Sequence, residues 1–204
     1  MKLYYTPGAC SLSPHIVLCE AGHDYELERV DLKAKTTSDG SDYRAINAKG
    51  SVPALQLDNG DLLTEGPVIV QYLADLAPAT KLAPAFGTFA RYQLMEILNY
   101  LTSDVHKGFG PLFNPVSTDE AKTAARTALA PRLALLDKKL AASPFLTGAQ
   151  FSVADAYLFV LLSWTSRVGI DTAPYPALQA FQKTVAARPA VQKAMVAEGL
   201  IKVS

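Results

Sequence analysis

The chain has 204 residues, 50% of them hydrophobic, with 19 basic residues against 19 acidic ones and a formal net charge of zero. That length suits one large domain or two small ones with a packed core, and the charge balance argues against nucleic acid or an anionic membrane surface as a partner. The longest uninterrupted apolar stretch, Ala156 to Leu162, is far below the roughly 20 residues needed to cross a bilayer.

Lys2-Leu3-Tyr4-Tyr5 reads as a short strand, Pro7-Gly8 as a turn, and Ser13-Pro14 as the start of a helix. Cys10 lies between them. A thiol just ahead of a helix faces free backbone N–H groups and the positive end of the helix dipole, which stabilise a thiolate near neutral pH. The other reading of Cys10 is a small buried hydrophobe. Pro7-Gly8-Ala9-Cys10 has the outline of a lipoprotein cleavage site, but the residues before it hold no apolar core. Cys19 follows nine residues later, about 13 Å away along a helix, too far for a disulfide. Two free thiols fit a reducing compartment, so the expected location is cytoplasmic.

Gly22 ends the first helix, and Tyr25 to Leu32 alternates apolar and polar side chains as a second strand should. Lys33 to Gly50 is polar and rich in turn formers, with room for one short helix over 42–46. Val52 to Leu57 and Asp61 to Thr64 flank Asp58-Asn59-Gly60, a hairpin signal because Asn-Gly accepts positive φ. Glu65-Gly66-Pro67 opens a helix carrying Val68, Ile69, Tyr72, Leu73 and Leu76 at helical spacing. The order is βαβ followed by ββα, the thioredoxin-like arrangement.

Residues 77–87 contain two prolines and a glycine and read as a linker; everything beyond is helical. Phe89 to Lys107 forms one long periodic segment, ended by Gly108-Phe109-Gly110-Pro111. Ser117-Thr118-Asp119-Glu120 has capping-box spacing and starts a helix in which Pro131 should leave a kink. Ser152-Val153-Ala154-Asp155 starts another, apolar almost all round and therefore central. Pro176 and Pro189 mark two shorter helices. The fold class is α/β plus all-α: a thioredoxin-like domain over 1–76, a linker over 77–87 and a helical bundle domain over 88–204.

Six segments in order resemble the cytosolic glutathione transferases, and within them the bacterial beta class. They are Tyr4 to Ile16 (YYTPGACSLSPHI), Gly50 to Leu55 (GSVPAL), Leu63 to Gly66 (LTEG), Val105-His106-Lys107, Phe151 to Asp155 (FSVAD) and Glu198 to Lys202 (EGLIK). The resemblance implies glutathione as co-substrate, no metal, and a homodimer. Val52-Pro53 resembles the family's cis-proline turn, which exposes the backbone of Val52 to the cysteinyl unit of glutathione. The alternative for Pro53 is an ordinary strand-start proline. Glu65 and Gly66 resemble the γ-glutamyl site, where an acid takes the ammonium group and helix N–H groups take a carboxylate. Gly66 lacks the hydroxyl that many members carry. Lys35 resembles the residue facing the glycyl carboxylate, or is simply solvated. Ala48 replaces a common proline, which should loosen the loop before Val52.

Asn99, Ser103, Asp104 and His106 match family positions that reach the glutathione site, some across a dimer interface, with Asp104 a candidate for the neighbour's contribution. Positions 99, 103 and 106 are separated by four and three, so one helix face should carry them, whether as a site or as a solvated face. Ser152 and Asp155 resemble the family's capping box and belong to folding. Cys10 and His106 are the catalytic candidates, although Tyr5 and Ser11 are also of the types that other classes use near this turn. Two chemistries follow: conjugation of glutathione to an electrophile, and thiol–disulfide exchange through Cys10. The alternatives are a glutathione-dependent isomerase or dehalogenase of aromatic catabolism, and a non-enzymatic binding protein of the same fold. Phe109, Phe113 and Trp164 either line the second-substrate pocket or belong to the core.

Overall fold

Strand β1 (Lys2–Tyr5) is the centre of a sheet whose order is β3-β2-β1-β4-β5, as seen in the computed structural model, which describes residues 1–202. β1 runs parallel to β2 (Glu26–Asp31), with Leu3 opposite Leu27, and antiparallel to β4 (Ala54–Gln56), with Leu3 opposite Leu55. β4 pairs with β5 (Leu62–Thr64) across the Asp58-Asn59-Gly60 turn. A parallel pair needs a crossover, supplied by helix α1 (Leu12–Ala21). The alternating strand pattern puts Leu3 and Leu55 fully inside. β3 (Thr36–Thr37) is a two-residue strand at the edge, too short to leave a periodic signal. The short helix α2 (Tyr43–Ile46) follows, capped by Asp42, which accepts from the Arg44 N–H. Helix α3 (Gly66–Leu76) packs on α1 with Ile69, Val70 and Leu73 fully buried.

The Ser13-Pro14 pair lies inside α1 rather than at its start. The helix begins at Leu12, and Pro14 occupies its third position, where a missing N–H still breaks no intrahelical bond.

The chain divides into two compact units, Met1–Ala83 together with the residues from Ala187 onward, and Pro84–Ala186. The tail therefore groups with the sheet and not, as the 88–204 domain anticipates, with the helices before it. The cause is local: α9 (Pro189–Ala197) packs on α1, and Arg188 at its N-terminus makes a two-point ion pair with Glu20 at 2.6 and 2.9 Å.

The second unit is built on α7 (Val153–Ser163), in which every residue from Val153 to Leu162 is buried. Ser152 and Asp155 form the expected capping box at its start. α6 (Asp119–Ala142) is capped by Thr118, which accepts from the Ala121 N–H, and continues as one helix through Pro131. α8 (Pro176–Ala186) packs on α6 and α7. The segment read as one helix over 89–107 is regular only in α4 (Phe89–Tyr100); Leu101–His106 is π-helical, and after Phe109 the short α5 (Gly110–Phe113) resumes.

Candidate active site

In the first unit, the turn between β1 and α1 is closed by local hydrogen bonds. The Ala9 N–H donates to the Thr6 carbonyl at 3.0 Å. The Ser11 hydroxyl accepts from the Thr6 N–H at 3.1 Å and donates to the Thr6 carbonyl at 3.2 Å. Ser11 is fully buried in this role, which removes it as an activator of a bound thiol. The Cys10 thiol donates to the Val52 carbonyl at 3.2 Å. Burial pushes the thiol up to about 11, against the lowering effect of the Cys10 and Ser11 N–H groups, and the Glu65 charge adds to the rise. The direction is opposite to the lowered thiol pKa that the helix start alone leads one to expect. The N–H groups ahead of the helix do face the sulfur, but desolvation outweighs them, and Cys10 is a neutral thiol at pH 7.

The carbonyl that holds it belongs to a cis Val52–Pro53 bond, so Pro53 is not an ordinary strand-start proline. The loop before it is pinned despite Ala48. The Tyr43 hydroxyl and the Asn47 side-chain amide both donate to the Ser51 carbonyl, at 2.9 and 2.8 Å, and Lys35 Nζ donates to the Gly50 carbonyl at 2.7 Å. Lys35 thereby braces this loop in addition to lying beside it. Glu65 is the N-cap residue of α3 with φ +72°, a strained backbone for a residue with a Cβ, of the kind that clusters at ligand clamps. Its exposed carboxylate meets Lys49 Nζ. Lys49, one of several lysines between β2 and β4, carries no sequence pattern that separates it from the others. At Gly66, an added Cβ would lie 3.5 Å from the Pro53 ring, an ordinary contact, so the absence of the hydroxyl there is not enforced by packing.

In the second unit, Asn99 and Ser103 are exposed, and the Ser103 hydroxyl lies 3.0 Å from the Asn99 carbonyl and 2.6 Å from Asp104 Oδ2. Asp104 Oδ1 faces Arg132 Nε at 3.8 Å. His106 does not join them. Its ring is half-buried, with Nδ1 2.6 Å from the Tyr157 hydroxyl and the ring edge-on to Trp164 at 4.9 Å. The four-and-three spacing holds only for a regular α-helix, and the wider π turn over Leu101–His106 rotates His106 away from the face of Asn99 and Ser103. Burial lowers the His106 pKa, so the imidazole is neutral at pH 7. Phe109 and Trp164 are 1% and 5% exposed and stack edge-on at 5.5 Å, so both are core; Phe113, 47% exposed, is the one of the three that presents surface.

Asp155 is fully buried and accepts from the Leu146 N–H, the Ser152 N–H and the Ser152 hydroxyl. Three donors converge on one carboxylate, and none of them is a group that reacts.

The first unit therefore brings together a backbone edge at Val52, a neutral thiol on that edge, an acid at a helix start and the N–H groups of that helix. Known proteins carry the same plan. Residues 8–76 match the family described as glutathione S-transferase, N-terminal domain, and residues 88–189 match glutathione S-transferase, C-terminal domain. Glutathione S-transferase GstA of Escherichia coli O157:H7 is 46% identical over 200 residues, covering 98% of this chain and 100% of that one. A sphingomonad glutathione S-transferase solved with glutathione bound is 52% identical, with a TM-score of 0.95 over 98% of this chain and 100% of the other. The beta-class enzyme of Sphingomonas chungbukensis is 49% identical, with a TM-score of 0.96 over 98% and 100% of the two chains. Matched along both units and by the turn, the cis bond and the helix start, this chain belongs to the glutathione S-transferases, in the bacterial beta class.

Proposed function

We propose that this transferase conjugates glutathione to electrophilic small molecules, with Cys10 acting as a hydrogen-bond donor to the glutathione sulfur. The observation that carries the reading is the neutral Cys10 thiol resting on the Val52 carbonyl. Val52 is the backbone edge at which the cysteinyl unit would pair, so the thiol lies where the sulfur of glutathione arrives and would turn its one proton from the Val52 carbonyl to that sulfur. A donor there favours the thiolate form of glutathione, lowering its pKa and readying it to attack carbon. In the step itself the glutathione sulfur forms a bond to the electrophilic carbon, and the leaving group, such as halide, departs with the electron pair. Glu65 and the α3 N-terminus would take the γ-glutamyl ammonium and carboxylate, and Lys35 the glycyl carboxylate. On the family pattern Asn99, Ser103 and Asp104 are kept as glutathione-binding candidates, and His106, whose Nδ1 lies 2.6 Å from the Tyr157 hydroxyl, as a separate candidate with a neutral imidazole.

A second reading, thiol exchange, is favoured by the two N–H groups that face the Cys10 sulfur. Once deprotonated, Cys10 would attack the glutathionyl sulfur of a mixed disulfide, form Cys10–S–S–glutathione and expel the other thiolate; a second glutathione thiolate would then release it as oxidised glutathione. The raised thiol pKa makes this the slower reaction at pH 7. We expect, for equal substrate concentrations at pH 7, faster turnover of a haloarene than of a glutathione mixed disulfide, with the disulfide reaction gaining as pH rises. Faster disulfide turnover at pH 7 would reverse the order of the two readings.

The homodimer is part of the proposal. Phe89, Tyr92 and Met95 of α4 are 78%, 57% and 40% exposed and lie at three-residue spacing along one stripe that continues to Asn99. An apolar stripe of that kind is suited to burial against a second copy. Sedimentation at micromolar concentration should give about twice the 21.9 kDa chain mass. The chain has no helix among its described residues that is long and apolar enough to cross a membrane, and both cysteines are free. A cytoplasmic location is the reading these facts favour.

A further inference from the structure

The carboxylate of Glu198, just past α9, is completely enclosed in the first unit. One oxygen accepts from the Gly8 N–H at 2.8 Å, and the other pairs with His15 Nδ1 at 2.9 Å. His15, also completely enclosed, places Nε2 3.1 Å from the Tyr25 hydroxyl, which in turn lies 3.1 Å from Cys19 Sγ. Burial alone would lower the His15 pKa, but the nearby Cys19 together with the hydrogen bond to Glu198 and the Glu198 charge raise it, which favours an ion pair with Glu198. Taking two charges out of water is expensive, and a well-packed apolar pair would serve stability as well or better. What the carboxylate does that an apolar side chain cannot is hold the Gly8 N–H. Gly8 has φ +67° and stands two residues before Cys10, in the turn whose other end is tied by Ser11 to Thr6.

We propose that Glu198, oriented by His15, is a positioning residue that fixes the Pro7-Gly8-Ala9-Cys10 turn and so sets where the Cys10 thiol donates. The inference rests on the reading of Cys10 given above. Neither Glu198 nor His15 touches the glutathione-binding edge: Val52 is held through Tyr43, Asn47 and Lys35, and Glu65 stands at a different helix start. Loss of Glu198 should therefore damage the chemical step and spare glutathione binding. A misplacement of the order of 1 Å at a reacting group costs up to about a hundredfold in rate.

The test compares wild type, Glu198→Ala, Glu198→Gln and the double variant His15→Leu with Glu198→Leu. Haloarene conjugation is followed from pH 6 to 9 at a temperature well below each variant's melting point. Glu198→Ala should lower kcat at pH 7 about tenfold, move the pKa seen in the kcat profile upward by about one unit, and leave the glutathione KM within twofold. Glu198→Gln keeps an acceptor for the Gly8 N–H and should recover kcat to within about threefold. If Glu198→Ala is too unstable to assay, the double variant removes both buried charges together and should fold, with the same loss in kcat. A folded Glu198→Ala or double variant with wild-type kcat and pH profile overturns the positioning role, as does a loss confined to KM. Cys10→Ala separates the two ideas: wild-type conjugation there would remove the Cys10 reading itself, whereas a Cys10-dependent rate indifferent to Glu198 would remove only the positioning role.

Discussion

Asp155→Ala should destabilise the protein by about 3 kcal/mol, since it strips the acceptor from two buried backbone N–H groups that cannot turn to water, at roughly 1–3 kcal/mol each. A cap exposed to solvent would cost only about 1 kcal/mol, and that is the figure the sequence pattern alone suggests for Ser152 and Asp155. Burial of α7 makes the difference: Leu146 and Ser152 donate from fully enclosed backbone at 2.8 Å each. Against a total stability of about 5–15 kcal/mol this is a large loss, visible as a lower urea midpoint or melting temperature. Burial also pushes the Asp155 carboxyl up to about 6 from 3.8, so its contribution is largest below pH 4 and declines as pH rises through 6. The stability gap between wild type and Asp155→Ala should accordingly narrow between pH 4 and 6.5 and stay level above. Glutathione KM should remain within twofold while the variant is folded; a large rise would make Asp155 part of the binding site.

The second large effect separates the two roles open to Cys10. A hydrogen bond to a charged sulfur is worth about 1.5–3 kcal/mol, so Cys10→Ala should lower haloarene kcat at pH 7 by roughly 10- to 100-fold. Cys10→Ser restores a donor of similar reach and should recover conjugation to within about threefold of wild type. Thiol exchange, which needs the sulfur itself as nucleophile, should be lost in both variants. Equal loss of conjugation in the serine and alanine variants would show that the sulfur acts as more than a donor.

Much of this molecule was legible because its signals are local. Asn59-Gly60 between two alternating runs gives the β4–β5 hairpin, Glu65-Gly66-Pro67 gives the start of α3, and Ser152 with Asp155 gives the start of α7. The thiol state of Cys10 was not legible. It depends on a carbonyl 42 residues away and on the burial around it, and a helix-start argument sees only the neighbouring N–H groups. The displacement of His106 was hidden for a related reason: one π turn breaks the 3.6-residue period, and the apolar pattern of Leu101 and Val105 accommodates either geometry. Glu198 was visible as part of a family-like tail, but its partner Gly8 lies 190 residues away, beyond the reach of spacing. The bracing of the Val52 loop by Tyr43 and Asn47 replaced a missing proline with side chains that carry no motif.

The pH dependence of Cys10 alkylation measures the protonation state of its thiol directly. In a Cys19→Ser variant, the second-order rate constant for Cys10 with iodoacetamide, followed by intact mass, reports the thiolate fraction. A thiol pushed up to about 11 gives a rate that is low at pH 7 and rises about tenfold per pH unit to pH 9.5 without levelling. A rate that is already high at pH 7 and levels off at or below pH 8 would mean that Cys10 is a thiolate in the free enzyme, contradicting the donor role.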